Sequence, residues 1–302
     1  MEFLQLQYFQ TVARLEHMTK AAEELQIAQP SLSKTIARLE EDLGVPLFDR
    51  KNRQLRLNDY GKLFLDRVNR IFLELNEGKR EIAERAHQKQ TQITLAVSIP
   101  RVLPELLSSF LKLFPEIKFQ QVLESTSSMK SRLEKAEIDF GISSVPIEGT
   151  DIVWEPLMTE EIYLIVPPEH RLSRREEIFL NEVKDEPIIG MNTGFGFRNL
   201  TDEFCRKAGF VPNIAFEGDE PGVIGDLVKQ GLGIAFIPEI SWLHHTNPFP
   251  NKLRIIEPKC QRTIGLGWSK RRYLSEAGQE FRQYVIEYFS KLSLEKAKKA
   301  SK

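Results

Sequence analysis

Two cysteines in 302 residues, Cys205 and Cys260, are too few and too far apart for a disulfide framework or a Cys-based zinc site. A reducing compartment, the cytoplasm, is therefore expected. No apolar run approaches membrane-spanning length, and the opening MEFLQLQYFQ has no signal-peptide pattern. Neither a membrane partner nor export is expected. A surplus of charge is missing too: 42 Lys/Arg against 43 Asp/Glu leave a net charge of −1. Even residues 1–90 hold 15 Lys/Arg against 14 Asp/Glu, a surplus of one. Catalytic signatures are likewise absent. There is no G-x-S-x-G elbow and no local Cys/His signature. Gly194-Phe195-Gly196 and Gly231-Leu232-Gly233 lack the third glycine of a dinucleotide fingerprint. Gly231 and Gly233 read instead as the end of a helix and the start of a buried strand. The adjacent His244 and His245 project in different directions, without acidic or Cys partners at ligand spacing. No metal and no cofactor is expected.

What is present begins at residue 18. The run MTKAAEELQIAQPSLSKTIARLEEDLG followed by VPLFDRKNRQLRLN predicts a short helix from about Thr19, a turn at Ile27-Ala28-Gln29, a second helix and a basic hairpin. Small residues Ala21 and Ala22 let two helices cross closely. Pro30 suits a first helical position, where no hydrogen bond is lost. Leu32, Ile36, Leu39 and Leu43 repeat at three-and-four spacing and mark a buried stripe. Ser31, Ser33, Lys34 and Arg38 fall largely off that stripe, and Gly44 stops the helix. The order is that of a winged helix-turn-helix, which sets its second helix in the major groove of DNA. Positive charge is local: Arg50, Lys51, Arg53 and Arg56 lie in the hairpin, offset only by Asp49, and Lys34 and Arg38 add to them.

The segment resembles the N-terminal domain of LysR-type transcriptional regulators. The match runs without a gap through Phe9 and Val12, through Ala21, Ala22 and Leu25, through Gln29-Pro30-Ser31 and Ser33, and through Ile36, Leu39-Glu40 and Leu43-Gly44. It continues over Leu47-Phe48, Arg50, Leu57 and Gly61. Asn58 replaces the usual Thr before the linker helix, a substitution that still caps. The resemblance is strong to about residue 90 and looser from 91 to 292.

The remaining organisation follows in order. Residues 2–13 read as an opening helix and 47–57 as the wing, closing a DNA-binding domain at 1–58. Residues 59–90 read as a linker helix and hinge, with HQKQTQ at 87–92 as the hinge. Phe64, Val68, Ile71, Leu75, Gly78 and Ile82 recur at alternating four and three, a heptad seam. The bland reading is a helix packed on its own domain. The resemblance implies that this helix pairs two subunits, so Phe64, Val68, Ile71, Leu75 and Ile82 are the expected dimer contacts. From 91 to 292 the chain contains a weak repeat. Ile93–Val97, Ile117–Val122 and Phe140–Ser143 answer Ile188–Gly190, Ile214–Phe216 and Ile234–Ile237. Two βαβαβ units predict two α/β lobes with mainly parallel sheets: lobe I at about 91–161 and 267–292, lobe II at about 162–266. EIYLIVP and TIGLGW read as crossover strands, and Ser275–Lys291 as a helix returning to lobe I. Residues 293–302 form a basic polar tail. The fold class is thus an N-terminal all-α winged helix-turn-helix with linker helix, then an α/β, two-lobed, periplasmic-binding-protein-like domain.

In open α/β sheets ligands bind beyond the carboxyl ends of strands, where helix N-termini present free N–H groups. Ser98-Ile99-Pro100-Arg101 and Asn192-Thr193 with Gly194 take those places in the two lobes. Thr126 and Ser127 follow the second strand, and Ser143 the third. Taken singly, each hydroxyl is more simply a helix cap. The resemblance implies effector contacts at Ser98, Thr126, Ser143 and Thr193. Arg101 and Arg198 sit early in helices, where cations are disfavoured. A carboxylate partner is one use for them, and a surface salt bridge is the simpler one.

The whole reads as a cytoplasmic, non-enzymatic regulator of LysR type, a homodimer or homotetramer. The helix from Pro30, with Gln29 just before it, reads base edges through Ser31, Ser33, Lys34 and Arg38. The wing, through Arg50, Arg53 and Arg56, contacts phosphates or the minor groove. The expected partners are double-stranded DNA at an interrupted palindromic operator, a small and anionic effector between the lobes, and RNA polymerase. An enzyme on the same two-lobed fold would need an acid, base or nucleophile in the cleft. A solute-binding protein would need an export signal.

Overall fold

The opening helix α1 covers Phe3–Leu15 and is tied at its start by Gln5, whose Oε1 accepts the Glu2 N–H at 2.6 Å. Helix α2, Met18–Glu24, is capped by His17. Helix α3, Gln29–Leu43, starts one position earlier than the sequence predicts, so Gln29 is helical and only Ile27 and Ala28 remain in the turn. Gly44 ends it at φ 73°, as its position implies. The three helices bury Phe9, Val12, Ala21, Ala22, Leu32, Ile36 and Leu39 against one another. Each large side chain removed from water there stabilises the unit by about 1.5–3 kcal/mol. The wing is an antiparallel pair, β1 (Phe48–Lys51) and β2 (Gln54–Leu57), in register Phe48 to Leu57. Two carboxylates hold it: Glu40 Oε1 accepts the N–H groups of Leu47 and Phe48, and Glu16 Oε1 that of Leu57. Asn58 caps the linker helix α4, Asp59–Arg85, by accepting the Gly61 N–H at 2.9 Å, so the departure from Thr costs the cap nothing.

This computed structural model describes residues 1–51, 54–86, 92–218, 221–241 and 251–300. They fall into two units, Met1–Ile82 and Ala83–Lys302. Most of the hinge at 87–92 and the pair His244-His245 lie outside the described residues.

In the second unit, lobe I runs β3 (Gln92–Val97), α5 (Leu103–Leu111), β4 (Lys118–Leu123), α6 (Thr126–Glu134) and β5 (Phe140–Ser143). Strands β4, β3 and β5 are parallel neighbours. The long strand β6, Ile152–Ile165, then crosses to lobe II, which opens with the short edge strand β7, Glu177–Phe179. The repeat reappears as β8 (Pro187–Met191), α7 (Gly196–Lys207), β9 (Asn213–Gly218), α8 (Pro221–Lys229) and β10 (Ala235–Pro238). Strand β11 (Lys252–Glu257) follows, and β12 (Gln261–Ser269) returns beside β6. Helix α9, Glu276–Ala300, closes the chain.

One sheet therefore runs β4-β3-β5-β12-β6-β11-β7, with β10 on the far half of β6. Strands β8 and β9 pair in parallel, and an Ile188–Ile234 bridge ties them to the start of β10. The crossover strands that the sequence reads as EIYLIVP and TIGLGW are β6 and β12. Gly233 shows why a glycine precedes β10: at φ 155°, a Cβ there would lie 2.6 Å from the Pro187 carbonyl oxygen.

Phe281, Val285 and Phe289 of α9 enter the lobe I core with Leu95, Phe110 and Phe140, as the return helix requires. The Phe110 and Phe281 rings meet edge-on at 5.2 Å. The helix runs on through Ala300, so the segment read as a polar tail extends it. Lobe II has a separate core of Ile162, Leu164, Ile188, Phe204, Phe236 and Leu253.

Candidate functional site

The buried stripe of α3 decides which side chains remain outside. Leu32, Ile36 and Leu39 are fully buried, and the opposite face carries Ser31, Lys34 and Arg38, all exposed, at three-and-four spacing. Gln29 and Pro30 are exposed at the helix start, and Ser33 is half-buried. Neither Lys34 nor Arg38 has an ion-pair partner among the described residues. Arg56 of the wing is different: its Nη1 lies 2.7 Å from Glu16 Oε2, although its side chain stays 67% exposed. The Leu57 N–H and then Arg56 hold the Glu16 carboxyl below its usual range. Part of the charge expected at the wing is thus already offset. Arg53 and the Arg50 side chain lie outside the described residues.

The expected dimer seam divides in two. Val68 is fully buried in its own core, and Phe64 packs on Phe9 with ring centroids 5.3 Å apart. Those two positions are corrected to intrachain packing, because the first turns of α4 close the helix-turn-helix core. Ile71 and Leu75 are each 41% exposed and Ile82 is 68% exposed. Tyr60 and Leu63, which the heptad pattern passes over, are also exposed.

Between the strand ends of the two lobes lies a cavity of about 60 Å³. Its lobe I wall is Ser98, Ile99, Pro100 and Arg101, as the strand-end argument requires, together with Ser144. The Ser98 hydroxyl oxygen accepts the Ser144 N–H at 3.3 Å. Arg101 is half-buried and has no ion-pair partner among the described residues.

The lobe II wall is not the predicted one. Met191, Phe195, Gly196 and Phe197 line the cavity, with Ile224 of α8 and Phe236 of β10. Thr193 is exposed and Asn192 half-buried, and neither is on the lining. The reason is loop length. From the last residue of β3 to the first helical turn is three residues (Val97 to Pro100), whereas from β8 to α7 it is five (Met191 to Gly196). The equivalent of Ile99–Arg101 is therefore Phe195–Phe197. The strand pattern does not record that loop, and it is the observed helix starts that show the equivalence.

Three further positions are corrected. Ser143 is fully buried, donates to the Val145 carbonyl at 2.5 Å and accepts from Trp154 Nε1 at 3.0 Å, so its hydroxyl is spent inside lobe I. Ser127 is exposed, with its Oγ 3.1 Å from that of the α6 cap Ser125. Thr126 is not on the lining, but its Oγ1 is shut from solvent without a hydrogen-bond partner among the described residues. A Cβ on Gly196 would lie 2.9 Å from that oxygen, so glycine is what lets α7 approach α6 so closely. Arg198 is buried, so it forms an internal ion-pair network where a surface salt bridge was the simpler expectation. Its Nε donates to both Asp202 oxygens and its Nη1 to Glu217 and to the Met191 carbonyl.

Sequence reasoning missed Arg262. It is the second residue of β12, the side chain is 5% exposed, and its Nε donates to Glu160 Oε1 at 2.7 Å. Glu160 is wholly buried on β6, and its Oε2 accepts the Ile240 N–H at 2.5 Å. The Arg262 guanidinium lies 5.2 Å from the Phe197 ring centre and lines the cavity. Its Nη2 is buried without a hydrogen-bond partner among the described residues. The available signal was a charged residue at the head of an apolar crossover strand.

Both cysteines sit in the lobe II core, and burial pushes each thiol up to about 12. Burial thus favours the protonated thiol at both positions near neutral pH. Among the described residues there is no metal-binding cluster, and no described helix is long and apolar enough to cross a membrane.

Comparison with known proteins agrees with both halves of this geometry. Residues 3–62 match the family model described as bacterial regulatory helix-turn-helix protein, lysR family, and residues 86–290 match the LysR substrate binding domain. The uncharacterized HTH-type transcriptional regulator YybE of Bacillus subtilis (strain 168) is 41% identical over 96% of this chain and 100% of its own length. The transcriptional dual regulator GltC of the same organism is 33% identical over 97% of this chain and 99% of its own. Among solved structures, the effector binding domain of QuiR in complex with shikimate is 28% identical. It superposes with a TM-score of 0.60 over 66% of this chain and 97% of that one.

Proposed function

This chain belongs to the LysR family of helix-turn-helix transcriptional regulators, which are not enzymes, and from that premise we propose how it reads DNA and what controls it. Helix α3 enters the major groove and presents Ser31, Ser33, Lys34 and Arg38 to base edges and phosphates, while the wing with Arg50, Arg53 and Arg56 tracks the backbone. The observation that carries this reading is the pair of exposed cations Lys34 and Arg38, without ion-pair partners among the described residues, opposite the buried Leu32–Ile36–Leu39 stripe. The exposed Ile71, Leu75 and Ile82 supply the α4 contact between subunits. Two such subunits read an interrupted palindrome, and dimers assemble into a homotetramer that works in the cytoplasm and meets RNA polymerase at the promoter.

The effector is a small anionic metabolite seated between the lobes. Arg101, without a partner on the lining, supports the sign of its charge, and the shikimate held by the QuiR domain is an acid of this class. Binding shifts the balance between lobe arrangements, and so alters DNA binding or activation.

Selection of bound duplexes from a random pool by the full-length protein tests the DNA reading. The expected product is a two-fold symmetric site with a spacer. Lys34→Ala and Arg38→Ala should each cost about 1–3 kcal/mol on that site. Unchanged affinity and unchanged sequence preference in both variants would remove α3 from the interface.

A further inference from the structure

The cleft also carries information about the chemical class of its ligand. Arg262 is one of the residues that line the cavity, and its Nη2 is a buried cationic donor with no acceptor among the described residues. Glu160 cannot turn to serve it, because one of its oxygens holds Arg262 Nε and the other holds the Ile240 N–H. A buried donor left unmade is costly, and more so when it is charged. An acceptor brought by a ligand removes that cost.

The charges on the lining set how many negative charges the ligand brings. Arg101 and Arg262 are the charged lining residues, and Glu160 already cancels Arg262. One positive charge remains without a counterpart among the described residues. A monoanion balances it, whereas a dianion would leave a charge buried without a partner. The opposite wall asks for something else. Met191, Phe195, Phe197, Ile224 and Phe236 offer apolar surface and no side-chain hydrogen bond.

We propose that the ligand of this cleft is a small monocarboxylate with an apolar body, seated with one carboxylate oxygen on Arg262 Nη2 and with its body against the lobe II wall. The assignment rests on reading the cleft as the effector site. Arg262 then determines specificity for the acid over neutral analogues, since a guanidinium edge fits a carboxylate and a lysine at that position offers only a point charge.

The test is calorimetric titration of the full-length protein with hexanoate and phenylacetate, with their amides, and with succinate and inorganic phosphate. The proposal expects at least one of the two acids to bind at least tenfold more tightly than its amide and than either dianion. Arg262→Lys, which keeps a cation beside Glu160, should weaken that acid at least tenfold and leave the amide unchanged. If Arg262→Lys does not fold, the double variant Glu160→Gln/Arg262→Gln keeps the buried pair neutral and hydrogen-bonded and should show the same loss. Amides that bind as well as acids, tighter binding of succinate or phosphate, no binding by either acid, or indifference to both variants would overturn it. The cleft-filling variant Ile224→Trp separates this failure from that of the underlying reading. Binding that is lost in Ile224→Trp but indifferent to Arg262→Lys removes only the carboxylate assignment. Binding that survives both shows that the cleft is not the effector site.

Discussion

The two lobes share one order of strands and helices but not one chemistry. Lobe I meets the cleft with Ser98, Ser144 and Arg101, and lobe II meets it with Met191, Phe195, Phe197, Ile224 and Phe236. The repeat preserves what packing demands, alternating strands and helices around an apolar core, and leaves the strand-end loops free to differ. Two more residues after β8 than after β3 are enough to turn Thr193 outward and bring phenylalanines in. A ligand between such walls is oriented, polar end to lobe I and to Arg262, apolar body to lobe II.

The largest effect expected on this comparison comes from the strands common to both lobes. Arg262→Met leaves Glu160, wholly buried, without its cation. Breaking a buried pair from one side costs about 3–5 kcal/mol, so urea unfolding of the second unit should shift by that amount. A loss under about 1 kcal/mol, the scale of an exposed pair, would show that the pair does not hold the lobes' shared strands.

High pH should separate the lobes next. Cys205 and Cys260 both lie in the lobe II core, and burial raises each thiol from 9.0 to about 12. A raised folded value favours the protonated form. Its contribution to stability is whole below pH 9 and is lost as pH rises from about 9 towards 12, because only the unfolded thiols ionise there. Lobe II should therefore open before lobe I on alkaline titration, read by thiol labelling against the fluorescence of Trp154 and Trp268. Replacing both cysteines by Ala should remove the alkaline step, and a step that persists would assign it elsewhere.

Arg101→Met is a smaller change. It should leave stability within about 0.5 kcal/mol, as a half-exposed unpaired side chain does. It should weaken an anionic effector about tenfold, close to 1.4 kcal/mol. Equal affinity in the variant would leave the lobe I wall without an electrostatic part. Smallest of all is Thr193→Val, which should alter neither unfolding nor the effector response, since Thr193 is exposed and off the lining. A lost response there would restore the strand-end equivalence that loop length breaks.

How far the sequence could be read follows from how local each feature is. The helix-turn-helix was legible because the buried stripe Leu32–Ile36–Leu39 and its exposed complement lie on one helix, and helical periodicity alone assigns the faces. The Asn58 cap, the wing and the crossover strands were legible for the same reason. The α4 seam was half legible. Its heptad pattern is uniform from Phe64 to Ile82, and no local signal says that Val68 faces Phe9's core while Ile82 remains exposed. The cleft was legible on one wall. Ser98 to Arg101 sit directly beyond a strand, but the opposing residues depend on a loop whose path the strand pattern does not record.

By itself, then, the sequence determined the helix-turn-helix, the repeat and the two-lobed order. These follow from spacings of two, three and four residues and from Pro and Gly at element ends, and both are properties of neighbours along the chain. Only the tertiary structure decided that Val68 belongs to the core, that Ser143 is spent on Val145 and Trp154, and that Phe195–Phe197 replace Thr193 on the cleft. It also decided that Arg262, 102 positions from Glu160, leaves one donor unmet among the described residues, with its guanidinium 5.2 Å from the Phe197 ring centre. Each of these depends on which distant segment fills the space beside a residue. That is settled by packing three-dimensional surfaces together, and a one-dimensional pattern does not encode it.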